Sequence, residues 1–331
     1  MARINLIAWD NPRGLGHDVR LLADTLVALG HELELTRLGP RRHDGRWRSA
    51  WLHLKMAWRW LASGGRQARL YDLNIALEHV RPPFMRLARR NALVPNPEWL
   101  SPRSQRYLPR FDAVLCKTRH AAEIFTARGC RALHIGFDSV DCRRPDVPRE
   151  PTFLHLAGAS QLKGTQRLLA VWQRHPEWPK LVVVQAPATD APAPVPAANI
   201  EYRIGHIDTD EVRRLQNTHA VHLCLSETEG WGHYLVEAMS CGALVITCDA
   251  PPMHELVDAS RGLLVRTGAG APFNLAQRYC FDEVALERVI EQVLAMPPAQ
   301  RLALGAQARA WFEDNHRNFA ARLEAALREV L

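Results

Sequence analysis

The sequence predicts an α/β protein of two Rossmann-like domains whose mainly parallel sheets face a central cleft. Three observations carry that expectation. The 331 residues suffice for about two domains of ordinary size, each able to bury its own core. Short apolar runs alternate with helical or polar stretches through the first half. The alternation stops at a charged, proline-rich segment and then starts again.

The opening "ARINLIAWDNPRGLGHDVRLLADTLVALGHELELTRL" reads as strand, glycine-bearing loop, helix and strand. Ile4, Leu6 and Ile7 begin it; Leu21, Leu22, Thr25, Leu26 and Leu29 recur with helical spacing before Gly30 ends the helix. The runs "LNIALEHV", "ALVP", "DAVLC" and "ALHIGF" extend the βαβ opening into an open sheet. "DSVDCRRPDVPREP" is the expected linker, giving domains of residues 1–148 and 149–331. Beyond it come the strand "TFLHLA", a helix from about Thr165, the strands "KLVVVQ" and "IEYRIG", a helix after Asp208, the strand "AVHLCL", a helix to Cys241, and the strands "ALVITC" and "GLLV". "APATDAPAPVPAAN" is expected as an exposed loop, and from Phe281 onward only helical periodicity remains.

Composition narrows the classes. The apolar run Ile4 to Trp9 is too short for a signal-peptide core or a membrane span, which predicts a cytoplasmic protein, with peripheral contact at the inner membrane face left open. Seven cysteines without a Cys-x-x-Cys pair fit reduced thiols better than disulfides or a zinc site. The formal charge of +7, with only four lysines (Lys55, Lys117, Lys163, Lys180) among 42 basic residues, favours acidic partners. Nucleic acid is not the expected one, because no aromatic-basic RNA motif accompanies the arginines.

Chemistry concentrates in "SETEGWGHYLVEAMSCGALVITCDAPPMHELV", where Gly230-Trp231-Gly232 should turn a strand into a helix stopped by Gly242. A helix start at the C-terminal edge of an open sheet favours anionic ligands. On one continuous helix Glu229 and Glu237 would stand ~12 Å apart, whereas glycosidase carboxylates sit roughly 5 to 9.5 Å apart. Each therefore fits better as an acceptor of hydrogen bonds from hydroxyls along one extended ligand.

These residues, with "GLGHDVRLLADTLVALGHEL" and "HLAGASQLKGTQRLLAVW" in the same order, resemble retaining GT-B glycosyltransferases of the glycogen-synthase-like superfamily, family 4 type, with its Glu-x7-Glu motif. The resemblance implies two Rossmann-like domains and transfer of a sugar from a nucleotide-diphosphate sugar, with retention and no metal or other cofactor, to a saccharide or lipid-linked acceptor, in cell-envelope polysaccharide or glycoconjugate synthesis. By the same resemblance Glu229 would bind donor-sugar hydroxyls, Glu237 the ribose, and Lys163 the diphosphate. Gly230, Trp231, Gly232 and His233 would surround the sugar and diphosphate, His79 would point at the donor sugar, and Gly14 and Gly16 would let the first domain's backbone approach. One position departs: Gly158 stands where the family has an arginine, which leaves open a catalytically impaired nucleotide-sugar binder.

Two further features have a simpler and a sharper reading. In residues 47–61, Trp47, Trp51, Leu54, Trp58 and Leu61 form one helical stripe flanked by Arg48, Lys55 and Arg59. The simpler reading packs the stripe on the first sheet; the sharper one lays it on a membrane surface. Asp208-Thr209-Asp210 matches a metal-binding tripeptide, but Asp208 and Glu211 have the spacing of a helix cap, which explains them without metal.

Overall fold

The computed structural model describes residues 1–9, 15–38, 42–63, 69–186, 194 and 196–331. Gly14 and most of the Pro/Ala stretch lie outside them. The chain forms two compact units, Met1–Asp138 with Asn318–Leu331, and Ser139–Arg317.

The first unit runs β1 (Arg3–Trp9), α1 (Leu15–Ala28), β2 (Glu32–Leu38), α2 (Arg42–Ala62), β3 (Tyr71–Leu77), β4 (Ala88–Val94), α3 (Pro102–Gln105), β5 (Ala113–Cys116), α4 (Arg119–Thr126) and β6 (Ala132–His134). Its strands pair in parallel in the order β2-β1-β3-β4-β5-β6. A buried polar ladder runs across them. Thr36 donates to Asn5 at 2.7 Å, Asn5 to Asn74 at 3.0 Å and Asn74 to Asn91 at 3.0 Å. Asn5, Asn74 and Asn91 are register partners, so a slip of one residue would strand three buried amides.

The tryptophan stripe of α2 is not packed on this sheet. Leu52 is fully buried and Met56 partly so, against the cluster that includes Ile7, Leu38, Tyr71 and Phe84. By helical angle these two side chains project from the side opposite Trp47, Trp51, Leu54, Trp58 and Leu61, all of which are exposed.

The second unit runs β7 (Glu150–Gly158), α5 (Thr165–Gln173), β8 (Leu181–Gln185), β9 (Ile200–Ile204), α6 (Thr209–Thr218), β10 (His219–Cys224), α7 (His233–Ser240), β11 (Leu244–Cys248), α8 (Met253–Leu256), β12 (Leu263–Val265), the antiparallel hairpin β13 (Thr267–Phe273) and β14 (Ala276–Phe281), and α9 (Glu283–Ala295). Six strands pair in parallel in the order β12-β11-β10-β7-β8-β9. The order reverses between β7 and β10, the switch point at which open sheets hold ligands beyond their C-terminal strand ends. The last helix, α10 (Pro298–Val330), contributes to both units.

The units divide at residue 138, not at the linker boundary of 148, and the chain end belongs to the first unit. The physical reason is hydrogen bonding. Residues 139–149 are stitched to the second unit: Cys142 N–H donates to Ser240 at 2.9 Å, Asn217 donates to Cys142 O at 2.7 Å, and Arg149 donates to the carbonyls of Cys241 and Gly242, orphan acceptors at the end of α7. In the first unit Phe319 meets Phe137 edge-on at 5.4 Å and Arg322 donates to Ile135 O at 2.9 Å, holding the end of α10.

All seven cysteines are free thiols, five of them buried. Burial pushes the Cys116 and Cys241 thiols up to about 12. Cys130 and Cys280 are partly exposed.

A buried ion pair and a buried neutral histidine make the fold sensitive in defined ways. Lys117 and Asp18 form an ion pair at 1% and 4% exposure, with the ammonium 4.7 Å from the Phe137 ring centre. Burial disfavours the charged lysine, yet attraction to Asp18 and Glu78 outweighs it and raises its pKa. Lys117→Met should destabilise the protein by about 3–5 kcal/mol, because it leaves a buried carboxylate unpaired; Asp18→Asn in the same chain should recover part of that loss in a denaturant titration.

His155 in β7 is fully buried, and burial lowers its pKa from 6.5 to about 4. Between these values the unfolded chain takes up a proton that the folded chain refuses. Stability is therefore complete above about pH 6.5 and falls as pH drops toward 4, by up to about 3 kcal/mol from this group. His155→Gln should melt lower than wild type at pH 7 but lose less on acidification to about pH 5, read from melting temperatures at both pH values.

Candidate functional site

At the switch point the turn after β7 lies against the end of β10. Ser160 caps a short 3-10 turn, Gln161–Lys163, and Gly164 follows in the left-handed region with φ 67°. A β-carbon at Gly164 would lie 2.6 Å from the carbonyl oxygen of Leu225, so only glycine lets the two segments touch. Glu227 N–H donates to Leu162 O at 2.8 Å and ties them. Beneath, His155 Nδ1 lies 2.8 Å from Leu223 O and its Nε2 2.9 Å from Thr165 Oγ1. A carbonyl only accepts, so Nδ1 carries the proton and Nε2 accepts from the threonine, which fixes the start of α5 to both strands.

This close approach brings Lys163 to Glu229. The ammonium is 3.6 Å from Glu229 Oε1 and 2.9 Å from the centre of the Tyr234 ring, with side chains 17% and 20% exposed for Lys163 and Glu229. Burial lowers the Lys163 pKa, while Glu229 pulls it back up. Ser226 donates to Glu229 Oε1 at 2.6 Å, and its oxygen lies 2.5 Å from the hydroxyl of buried Tyr234.

The Gly-Trp-Gly corner turns the chain as expected. Gly232 is the left-handed N-cap of α7, φ 82°, and Trp231 is buried. Trp231 Nε1 donates to Ser139 Oγ at 3.0 Å, and the same hydroxyl lies 2.9 Å from His233 Nδ1. A single serine thus fixes two residues of the corner. Glu237, one turn further on, accepts from buried Gln216 at 3.1 Å.

Lys163, Glu229, Gly230, Trp231, Gly232, His233 and Glu237 therefore gather in the second unit at the sheet edge. His79 and Gly16 belong to the first. His79 lies two residues beyond β3, with its ring 5.1 Å from that of Trp9, and burial lowers its pKa. Gly16 sits exposed in the first turn of α1, and Gly14 is outside the described residues. Sequence reasoning missed Ser139, Gln216, Ser226 and Tyr234, which carry no motif of their own. It also missed Glu78, directly before His79, which adopts φ 57° and accepts from Asn96.

A pocket of about 670 Å³ opens beside the same turn, lined by Gly158, Gln161, Arg167, Gln185, Glu227 and Arg278 among others. Neither Lys163 nor the two glutamates of the motif line it. Arg278 of β14 grips Glu227 through two nitrogens and faces the same pocket as Gly158.

The tripeptide 208–210 behaves as a helix start. Asp208 caps α6, Asp210 pairs with Arg144, and Glu211 is held by Arg214 at 2.6 Å instead of closing a capping box. Among the described residues no group of three metal-ligating side chains converges.

Residues 198–311 match the family model described as glycosyl transferases group 1. No curated protein matches the sequence. Solved structures do. Sucrose-phosphate synthase from Thermosynechococcus elongatus is 15% identical with a TM-score of 0.69, over 99% of both chains. Anabaena HepE in complex with UDP and glucose is 14% identical with a TM-score of 0.67, over 100% of both. A chain of the GtfA/B complex is 15% identical with a TM-score of 0.58; 77% of this chain covers 57% of that one. The two six-stranded parallel sheets, shared over the full length with such structures, give the chain the GT-B fold, and the matched segment 198–311 supports placing it in the GT-B glycosyltransferase superfamily.

Proposed function

We propose that this protein transfers a sugar from a nucleotide-diphosphate sugar to an acceptor hydroxyl, with retention of configuration and without a metal ion. The observation that carries the reading is the Lys163–Glu229 pair, 3.6 Å apart and largely buried at the switch point beside the start of α7. HepE, solved in complex with UDP and glucose, is a precedent for a nucleotide and a sugar bound on this fold. The acceptor is a saccharide or lipid-linked saccharide, and the product belongs to a cell-envelope polysaccharide or glycoconjugate.

In this mechanism the incoming diphosphate becomes a partner of Lys163. Glu229 is then free to accept from sugar hydroxyls, and Glu237, oriented by Gln216, accepts from the ribose. Backbone N–H groups of the corner at Gly230 to His233 face the same anion. The acceptor oxygen attacks from the leaving-group side as the bond to the diphosphate breaks. The diphosphate oxygen takes the proton, and Lys163 with the helix start stabilises its growing charge. Arg278 supplies the positive charge that Gly158 lacks.

A panel of nucleotide sugars, read by thermal stabilisation and then by transfer, tests the reading. The matching donor should raise the melting temperature, and the anomeric coupling constant of the product should report retention. Stabilisation without any transfer or hydrolysis would instead identify a binding protein.

Lys163→Ala should lower kcat about 100-fold or more with a smaller effect on donor affinity, because the interaction strengthens as charge develops. Glu237→Ala should weaken binding of the free nucleotide by about tenfold, the cost of a hydrogen bond to a charged group. Titration calorimetry with the free nucleotide separates the two; tight binding by Glu237→Ala would remove the ribose assignment.

Activity should persist in excess EDTA, and Asp208→Asn should change stability by only a few tenths of a kcal/mol, since asparagine caps a helix nearly as well as aspartate. Loss of activity in EDTA, restored by magnesium or manganese and absent in Asp208→Asn, would overturn the metal-free mechanism.

A further inference from the structure

We infer that α2 is a docking face for an anionic lipid surface. Trp47, Trp51, Leu54, Trp58 and Leu61 are between 59% and 78% exposed. Other exposed large hydrophobic side chains, such as Val27, Ile204 and Leu302, are distributed among other elements. Single exposed apolar residues need no explanation, but a stripe along a helix of 21 residues, about 30 Å long, does.

The helix does not need this stripe for its own anchoring. Leu52 and Met56, on the opposite side, already fix it to the first unit's core. The outer face is thus free to meet something else, and its chemistry says what. Three tryptophans of this face lie within twelve residues, and tryptophan combines an apolar body with an N–H that suits the headgroup boundary. Residues 47–62 hold Arg48, Lys55 and Arg59 and not one carboxylate. Lys55 is exposed, its ammonium 5.4 Å from the Trp51 ring centre, so charge and aromatic surface present together.

Other occupants fit less well. A second copy of the chain would set like charges against like across a two-fold interface, which costs energy. No described helix is long and apolar enough to cross a membrane, so α2 lies on the surface and does not span it. A lipid surface bearing negative headgroups satisfies both the stripe and the basic flank. The inference goes beyond glycosyl transfer and does not depend on it.

The test is sedimentation of the full-length protein with vesicles of phosphatidylcholine alone or mixed with phosphatidylglycerol. The wild-type protein should bind the mixed vesicles, bind phosphatidylcholine more weakly, and be released as salt rises from about 0.1 to 1 M. Trp51→Ala/Trp58→Ala should lower partitioning about tenfold or more while keeping the wild-type melting temperature. Lys55→Glu/Arg59→Glu, which leaves the stripe intact, should lose the preference for phosphatidylglycerol. If the double-alanine variant does not fold, quenching of wild-type tryptophan fluorescence by brominated phosphatidylglycerol gives the same information. Absence of wild-type binding, equal binding by a folded double-alanine variant, or a wild-type dimer that those substitutions dissolve would each overturn the inference. Donor-induced thermal stabilisation of the wild-type protein is read separately: its absence would count against the nucleotide-sugar reading and not against the lipid surface.

Discussion

The contact between Gly164 and the carbonyl of Leu225 governs the second unit's site. No side chain fits between them, and the histidine below bonds both segments, so the turn after β7 has one place to lie. Lys163 then stands in a partly dry position where an amine alone would be costly, and the nearby carboxylate of Glu229 relieves that cost. The site is locally balanced before any ligand arrives. An anion entering it would compete with Glu229 for the lysine, and Glu229 would keep the hydroxyl of Ser226 as a partner.

Most of the strand and helix order was legible, because buried parallel strands read as short apolar runs and glycines mark the corners. The Gly-Trp-Gly corner and the cap at Asp208 were legible for the same local reason, whereas the roles expected of Lys163, Glu229 and Glu237 came from the family resemblance and not from local pattern. What was not legible depended on partners distant in sequence. Residues 139–149 look like a tether by composition, yet they bond to side chains and carbonyls at the ends of α6 and α7. The hairpin β13–β14, rich in glycine and alanine, shows no clean alternation, and its placement rests on Arg278 meeting Glu227 and on Tyr279 N–H donating to Glu227 O at 2.7 Å.

α2 exposes a different limit. Periodicity finds an apolar face, but this helix has two, and the wider one is not the one that packs. A narrow pair, Leu52 and Met56, suffices because the cluster beneath supplies the remaining surface. The same unit keeps Asp18, Glu78 and Glu98 around Lys117 near the strand ends. A sequence shows such a group only as scattered single charges, since residue 18 and residue 117 meet through the sheet and not along the chain.

The thiols carry a practical consequence. Five are sealed in the interior, where burial also suppresses the reactive thiolate. The two with access to solvent fall one in each compact unit, Cys130 after α4 and Cys280 on β14. The native chain is thereby furnished with its own pair of attachment points for fluorophores or spin labels. A distance measured between them would follow the two units as nucleotide sugars are added, with no engineered cysteine and no disturbance of the core.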